Sequence, residues 1–282
     1  MKPTYIFIFL FPLFLFSQED LLNEINSDSL PDSKVGAAFK GLKIVNFEST
    51  KLVAKKEFTF IVSHRFGSLK NGIDTFFGLD DAVTRLNFVY GIGNGINIGV
   101  SRSSFQKIYE ASLKYRIINQ EKHVSPFTIV GFNSILINTA LDKASYPLLE
   151  FKHRLGYTAQ LLVSRKISTK LSLELAPTLF HDNFVIINEQ DNTQFALGIG
   201  GRYKLTKRWS VNADYGLHVN RASNSPFKNP LSIGIDLETG GHVFQMHFTN
   251  AEGMNTNSFL GQASGSWDNG DIFFGFNLSR RF

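Results

Sequence analysis

The chain has 282 residues, 29 Lys and Arg against 24 Asp and Glu, no cysteine and 28 phenylalanines. Without cysteine there is no disulfide framework, thiolate metal site or cysteine nucleophile, and a net charge of +5 with no basic run leaves no electrostatic footprint for nucleic acid. Hydrophobic residues make up 43% of the chain, yet overall hydropathy is near neutral, so apolar and polar residues must be finely interleaved.

Met1 and Lys2 precede an apolar stretch, Tyr5 to Phe16, that ends at Ser17 and the polar run Gln18-Glu19-Asp20. A bilayer-spanning helix needs roughly 20 apolar residues, so the stretch reads as a secretory signal peptide over 1–17 with cleavage near Ser17. Residues 18–55 follow as a lead. Leu21, Leu22 and Ile25 give it a weak helical pattern, and Gly41 to Lys51 is strand-like or extended. We read this lead as periplasmic and then plug-like, lying inside or under the body of the protein, with an extra wall strand as the alternative.

From residue 56 the period is two. In one segment Tyr109, Ala111, Leu113, Tyr115 and Ile117 alternate with Glu110, Ser112, Lys114 and Arg116, and in another Trp209, Val211, Ala213, Tyr215 and Leu217 alternate with Ser210, Asn212, Asp214 and His218. Such segments fall at 56–66, 82–91, 95–103, 108–118, 124–137, 151–166, 170–181, 194–205, 208–219, 230–238, 242–250 and 270–282. Several reach ten or more residues, the length a tilted strand needs to cross a bilayer, where soluble strands usually run about five or six. Connections alternate between long (67–81, 138–150, 182–193, 220–229, 251–269) and short (92–94, 119–123, 167–169, 206–207, 239–241), with 104–107 the exception, and a short helical turn is expected at 74–80. These features predict an all-β fold, a transmembrane antiparallel up-and-down barrel over 56–282 with about twelve strands, short periplasmic turns and longer extracellular loops.

The chain end, Asp271 to Phe282, resembles the closing strand of a bacterial outer-membrane β-barrel. The resemblance implies that Phe274, Phe276, Leu278 and Phe282 form the signal read by the barrel-insertion machinery. It also implies that the protein resides in outer-membrane lipid of a Gram-negative cell. Arg280 stands at an outward position in this pattern, where it can snorkel to the headgroups. Ser63-His64-Arg65-Phe66-Gly67, Phe77-Gly78-Leu79-Asp80, Ser101-Arg102-Ser103-Ser104 and the terminal strand are similar to an uncharacterised family of predicted outer-membrane barrels, a domain of unknown function. That similarity implies fold and compartment and adds no catalytic residue.

The polar parity of the strands directs Arg65, Arg85, Lys114, Arg116, Lys152, Arg154, Glu174, Arg202, Lys204, Asp214, Asp236 and Glu238 toward the lumen. Two readings follow. One is a narrow porin-like channel or binding scaffold for a small polar solute, anionic where the basic groups dominate. The other is an interior packed with mutually compensating charges, and a closed barrel of that kind would act structurally or dock a partner through its long loops. A lipid-modifying enzyme is the third class. Ser210, Asp214 and His218 suggest a triad, but on one strand adjacent members are about 13 Å apart, too far for a proton relay. No catalytic residue, metal site or cofactor is assigned.

Overall fold

The computed structural model describes residues 35–187 and 189–282. The signal peptide expected at 1–17 and the first part of the lead, 18–34, lie outside them.

Twelve antiparallel strands follow one another round a closed barrel, and β1 pairs with β12 to seal it. They are β1 (Phe58–Ser68), β2 (Ala82–Gly93), β3 (Ile96–Ser103), β4 (Ile108–Ile118), β5 (Thr128–Asn138), β6 (Leu155–Lys166), β7 (Leu171–Asp182), β8 (Thr193–Lys204), β9 (Trp209–His218), β10 (Leu231–Thr239), β11 (His242–Thr249) and β12 (Phe273–Arg281). Alternation makes this possible. Leu173, Leu175 and Leu179 of β7 are exposed on the outer wall, while Ser172, Glu174, Ala176 and Thr178 are buried inside. Closure leaves no unpaired strand edge, which a bilayer would not tolerate. Among the described residues no helix is long and apolar enough to cross a membrane.

Ring pairs tie β1 to both of its neighbours, β2 at Phe88 and β12 at Phe274 and Phe276. Phe60 lies 4.8 Å from Phe88, His64 lies 5.3 Å from Phe276 at an interplanar angle of 6°, and Phe66 lies 5.7 Å from Phe274. At the end of the β1–β12 seam, Phe58 and Phe282 exchange backbone hydrogen bonds of 3.1 and 2.8 Å. Arg280, on the outer face, stacks over the Phe282 ring at 4.7 Å.

Five connections, 94–95, 119–127, 167–170, 205–208 and 240–241, share one end of the barrel with the chain terminus and are called the turn end here. The connections at the opposite, loop end are longer, with 104–107 again short. Three local readings change. The β4–β5 connection has nine residues because Glu121 and Ser125 bridge across a small turn of their own, so β5 starts at Thr128. In the first loop the helical turn is a 3₁₀ segment at Leu69–Thr75, ahead of the expected position. Residues 151–154 form a 3₁₀ turn in place of strand, because Glu150 and His153 bond reciprocally and close it; β6 therefore starts at Leu155.

About eight strands give an interior that side chains alone can fill, whereas porins of roughly 16–18 strands hold a water channel. Twelve fall between, and here backbone fills the difference. From the turn end, residues 35–55 run into the lumen and take no place in the wall. From the loop end, the β11–β12 connection folds inward and carries a short helix, α1 (Thr256–Gly261). Phe47 from the first insert and Ala251, Phe259, Leu260 and Ala263 from the second join Val130, Phe132, Leu162, Ala176 and Phe180 of the wall in one apolar core.

The bilayer-facing band can be tested at Ile199, on the outer face of β8. Ile199→Arg is expected to cost about 2–4 kcal/mol if it lies near the midplane. The measurement is a lower urea midpoint for the fast-migrating folded band on unheated gels.

Candidate functional site in the lumen

The inward polar residues converge on the first insert. Ile44 N–H donates to Phe47 O at 2.9 Å, making a tight turn whose next three amides point at one carboxylate. Asp214 of β9 accepts from the N–H groups of Val45, Asn46 and Phe47 at 3.0, 2.7 and 3.1 Å. Three backbone donors on one oxygen offset much of the desolvation of a buried charge. Gln245 donates to Lys43 O and Ile44 O, Asn277 donates to Val45 O, and Arg65 donates to Asn46 Oδ1 at 2.9 Å. Farther along, Glu174 accepts the Thr50 N–H, and Asn97 holds both the N–H and the C=O of Val53 at 2.8 Å.

Lys43 and Lys114 both pair with Glu48, at 3.0 and 3.1 Å. Burial pushes the Glu48 carboxyl up, but the two ammonium groups outweigh it and hold the group at about 2. The second insert is tied in the same way. Arg85 pairs with Glu110 at 2.5 Å and donates to Met254 O, Asn255 donates to Glu110, and Asn257 bonds Thr158 and Asp182.

The inserts meet at Phe47 and Phe259, edge to face with centroids 4.9 Å apart. Room for this contact comes from the wall. A Cβ on Gly198 would sit 2.3 Å from the Phe47 ring, and one on Gly200 would sit 2.4 Å from Ile44 Cδ1. These glycines face inward and are vacated for the insert.

The residues expected in the lumen divide into groups. Arg65, Arg85, Lys114, Glu174, Arg202, Asp214 and Asp236 are buried inside, and most of them touch an insert or one another. Glu238 pairs with Lys40 of the first insert at 3.0 Å near the turn end. Lys204 is half-buried at the end of β8, and Arg116 is exposed at the turn-end rim, where β4 slips register. Lys152 does not belong to the lumen. It lies in the 3₁₀ turn before β6, exposed, and pairs with Glu150 at 2.8 Å outside the barrel. Arg154 closes the same turn and reaches Asn138 O at the loop end.

Of the suspected triad, Ser210 accepts from Arg202 Nε, Asp214 grips the insert, and His218 packs on Phe180 at 5.3 Å. Each has its own partner and none faces the others. Among the described residues no three histidine or carboxylate groups converge as metal donors.

At the turn end a cavity of about 240 Å³ opens between insert and wall, lined by Lys40, Lys51, Glu57, Glu238, His242 and Arg281 among others. Both carboxylates are engaged, Glu238 by Lys40 and Glu57 by Arg281 at 3.8 Å. Among the described residues the Lys51 ammonium has no ion-pair partner, and burial, then Lys40 and Arg281, lower its pKa.

Two outcomes test the grip on the insert. Gly198→Leu is expected to expel Phe47, with an overpacking cost of about 1–3 kcal/mol, and trypsin should then cut after Lys43 in a barrel that still migrates as folded; the unaltered protein should resist. Glu48 is held below its unfolded value, so its stabilisation is in place above about pH 4.5 and is lost as pH falls toward 2. Pepsin should accordingly spare the insert at pH 4 and reach it at pH 2, and Glu48→Gln should expose Lys43 to trypsin at neutral pH.

The fold is similar to that of solved porins. The NanC porin superposes with a TM-score of 0.50 at 9% identity over 79% of this chain and 97% of that one. The KdgM porin in complex with disordered oligogalacturonate gives 0.50 at 9% over 80% and 99%, and an outer membrane channel from Pseudomonas putida F1 gives 0.47 at 10% over 83% and 97%. At these identities the likeness is one of fold. No curated protein matches the chain. A family model described as a membrane bound beta barrel domain (DUF5777) matches residues 39–282, a span that takes in the inner insert together with the whole wall. The chain therefore belongs to that family of membrane-bound β-barrels.

Proposed function

We propose that the protein is an outer-membrane barrel, closed at rest, that serves as a binding scaffold for a small anionic solute at its turn end. The observation that carries the reading is the contact of Phe47 with Phe259 across the lumen. A continuously open pore needs a water-filled path, and here that path is occupied by two inserts with a shared apolar core. Of the inward charges expected to line a channel, Arg65, Arg85, Lys114, Glu174, Asp214 and Glu238 are spent on the inserts. The surplus positive charge at Lys51, beside Lys40 and Arg281, supports an anion in the turn-end cavity.

A second reading, docking through the long loops, is favoured by Leu148, 91% exposed, and Ile73, 80% exposed. Photo-crosslinkers at these two positions in intact cells should capture a discrete partner if that reading holds.

Planar-bilayer recording tests closure. Correctly folded protein should insert without steady conductance, and deletion of 251–264 combined with Gly198→Leu should produce stepwise opening. Steady steps from the unaltered protein would sink the closed reading. For the solute, inorganic phosphate is a suitable probe. Its ³¹P resonance should broaden with the detergent-solubilised protein at low salt, and Lys51→Gln should reduce that broadening several-fold.

A further inference from the structure

The opposite end holds a second cavity of about 230 Å³, between α1 and residues 138–146, 184–187, 190 and 225–227 of the loops. Its chemistry differs from that of the turn end. One wall is apolar: Tyr146 and Phe184 meet edge to face at 4.7 Å, with Ile187 and Phe227 beside them. The other wall is polar, and among the described residues neither lysine nor arginine lines the cavity. Asp182, at the end of β7, is the one charged lining residue among those described.

One Asp182 oxygen accepts from Asn257 Nδ2 at 2.7 Å. The carboxylate makes no ion pair among the described residues, although Arg154 lines a narrow recess next to it and His181 precedes it in the chain. Gln194 of β8, 3% exposed, also lines the cavity, and among the described residues its carboxamide has no hydrogen-bond partner. A carboxylate with a free oxygen, an unpartnered amide and aromatic faces form a setting for an organic cation, since an ammonium is held both by the charge and by the ring quadrupoles.

We infer that this loop-end cavity binds a small primary amine with an apolar body, the ammonium on Asp182 and Gln194 and the body against Tyr146, Phe184 and Phe227. The volume is below the roughly 300–1,000 Å³ of pockets that take drug-sized ligands, so the ligand is small. An anion is disfavoured here because nothing in the lining offsets the Asp182 charge. The site stands independently of the turn-end reading, and its occupant has the opposite sign.

The experiment is calorimetric titration of the full chain in nanodiscs with phenethylamine and with 3-phenylpropanoate, whose sizes match and charges differ. The amine should bind at least tenfold more tightly. Asp182→Asn, which retains an oxygen for Asn257, should erase that preference, and Phe184→Ala should weaken the amine several-fold in a barrel that still migrates as folded. Lys51→Gln should leave amine binding unchanged, which separates failure of this site from failure of the anion site. Equal affinity for the two probes, no binding of the amine to the folded protein, or full amine affinity in a folded Asp182→Asn or Phe184→Ala variant would overturn the assignment.

Discussion

The carboxylate of Asp214 is the fixed point of the interior. A charge placed inside a membrane barrel must be compensated, and here the compensation comes from three successive backbone amides of a turn that belongs to no strand. That choice draws the 44–47 turn to mid-lumen. Phe47 is then carried onto Gly198 and against Phe259, and Asn46 is brought within reach of Arg65, Ser232 and Thr249. The filling of the lumen, the packing of its core and the division of its space into two end cavities all follow from where this turn is held.

The interior consequently resembles that of a soluble protein wrapped in a membrane wall. Several of its polar groups bond the backbone of an insert, and its centre is apolar. The paired charges at Glu48 and at Arg85–Glu110 fasten the two inserts separately, one from each end. The inserts therefore need not come loose together. The two cavities left over differ in sign, because among the described residues Lys51 is the lining charge without an ion-pair partner at one end and Asp182 at the other.

Much of the wall was legible in the sequence. Alternation at period two located twelve strands within a few residues, since each inward or outward choice is repeated along the strand and errors cancel. The failures were local. Strand parity at Phe151 and Leu155 directs Lys152 to the lumen, whereas hydrogen bonds between Glu150 and His153 close a helical turn that parity cannot reveal. The β11–β12 connection carries a signal in its composition. From Ala251 to Gly261 it has a single charge, Glu252, and contains Met254, Phe259 and Leu260, a composition unsuited to a solvated loop. The inward glycines Gly198 and Gly200 carried a similar signal of a close neighbour.

The sequence by itself determined the wall: which faces meet lipid, how many strands there are, and which end has the long connections. These are properties of neighbours along the chain, and a period-two pattern encodes them directly. What occupies the lumen was decided only in the tertiary structure. Whether Asp214, Glu174 and Lys114 face water, one another or an insert depends on contacts between residues 66–168 positions apart, and charge counted strand by strand is the same in each case.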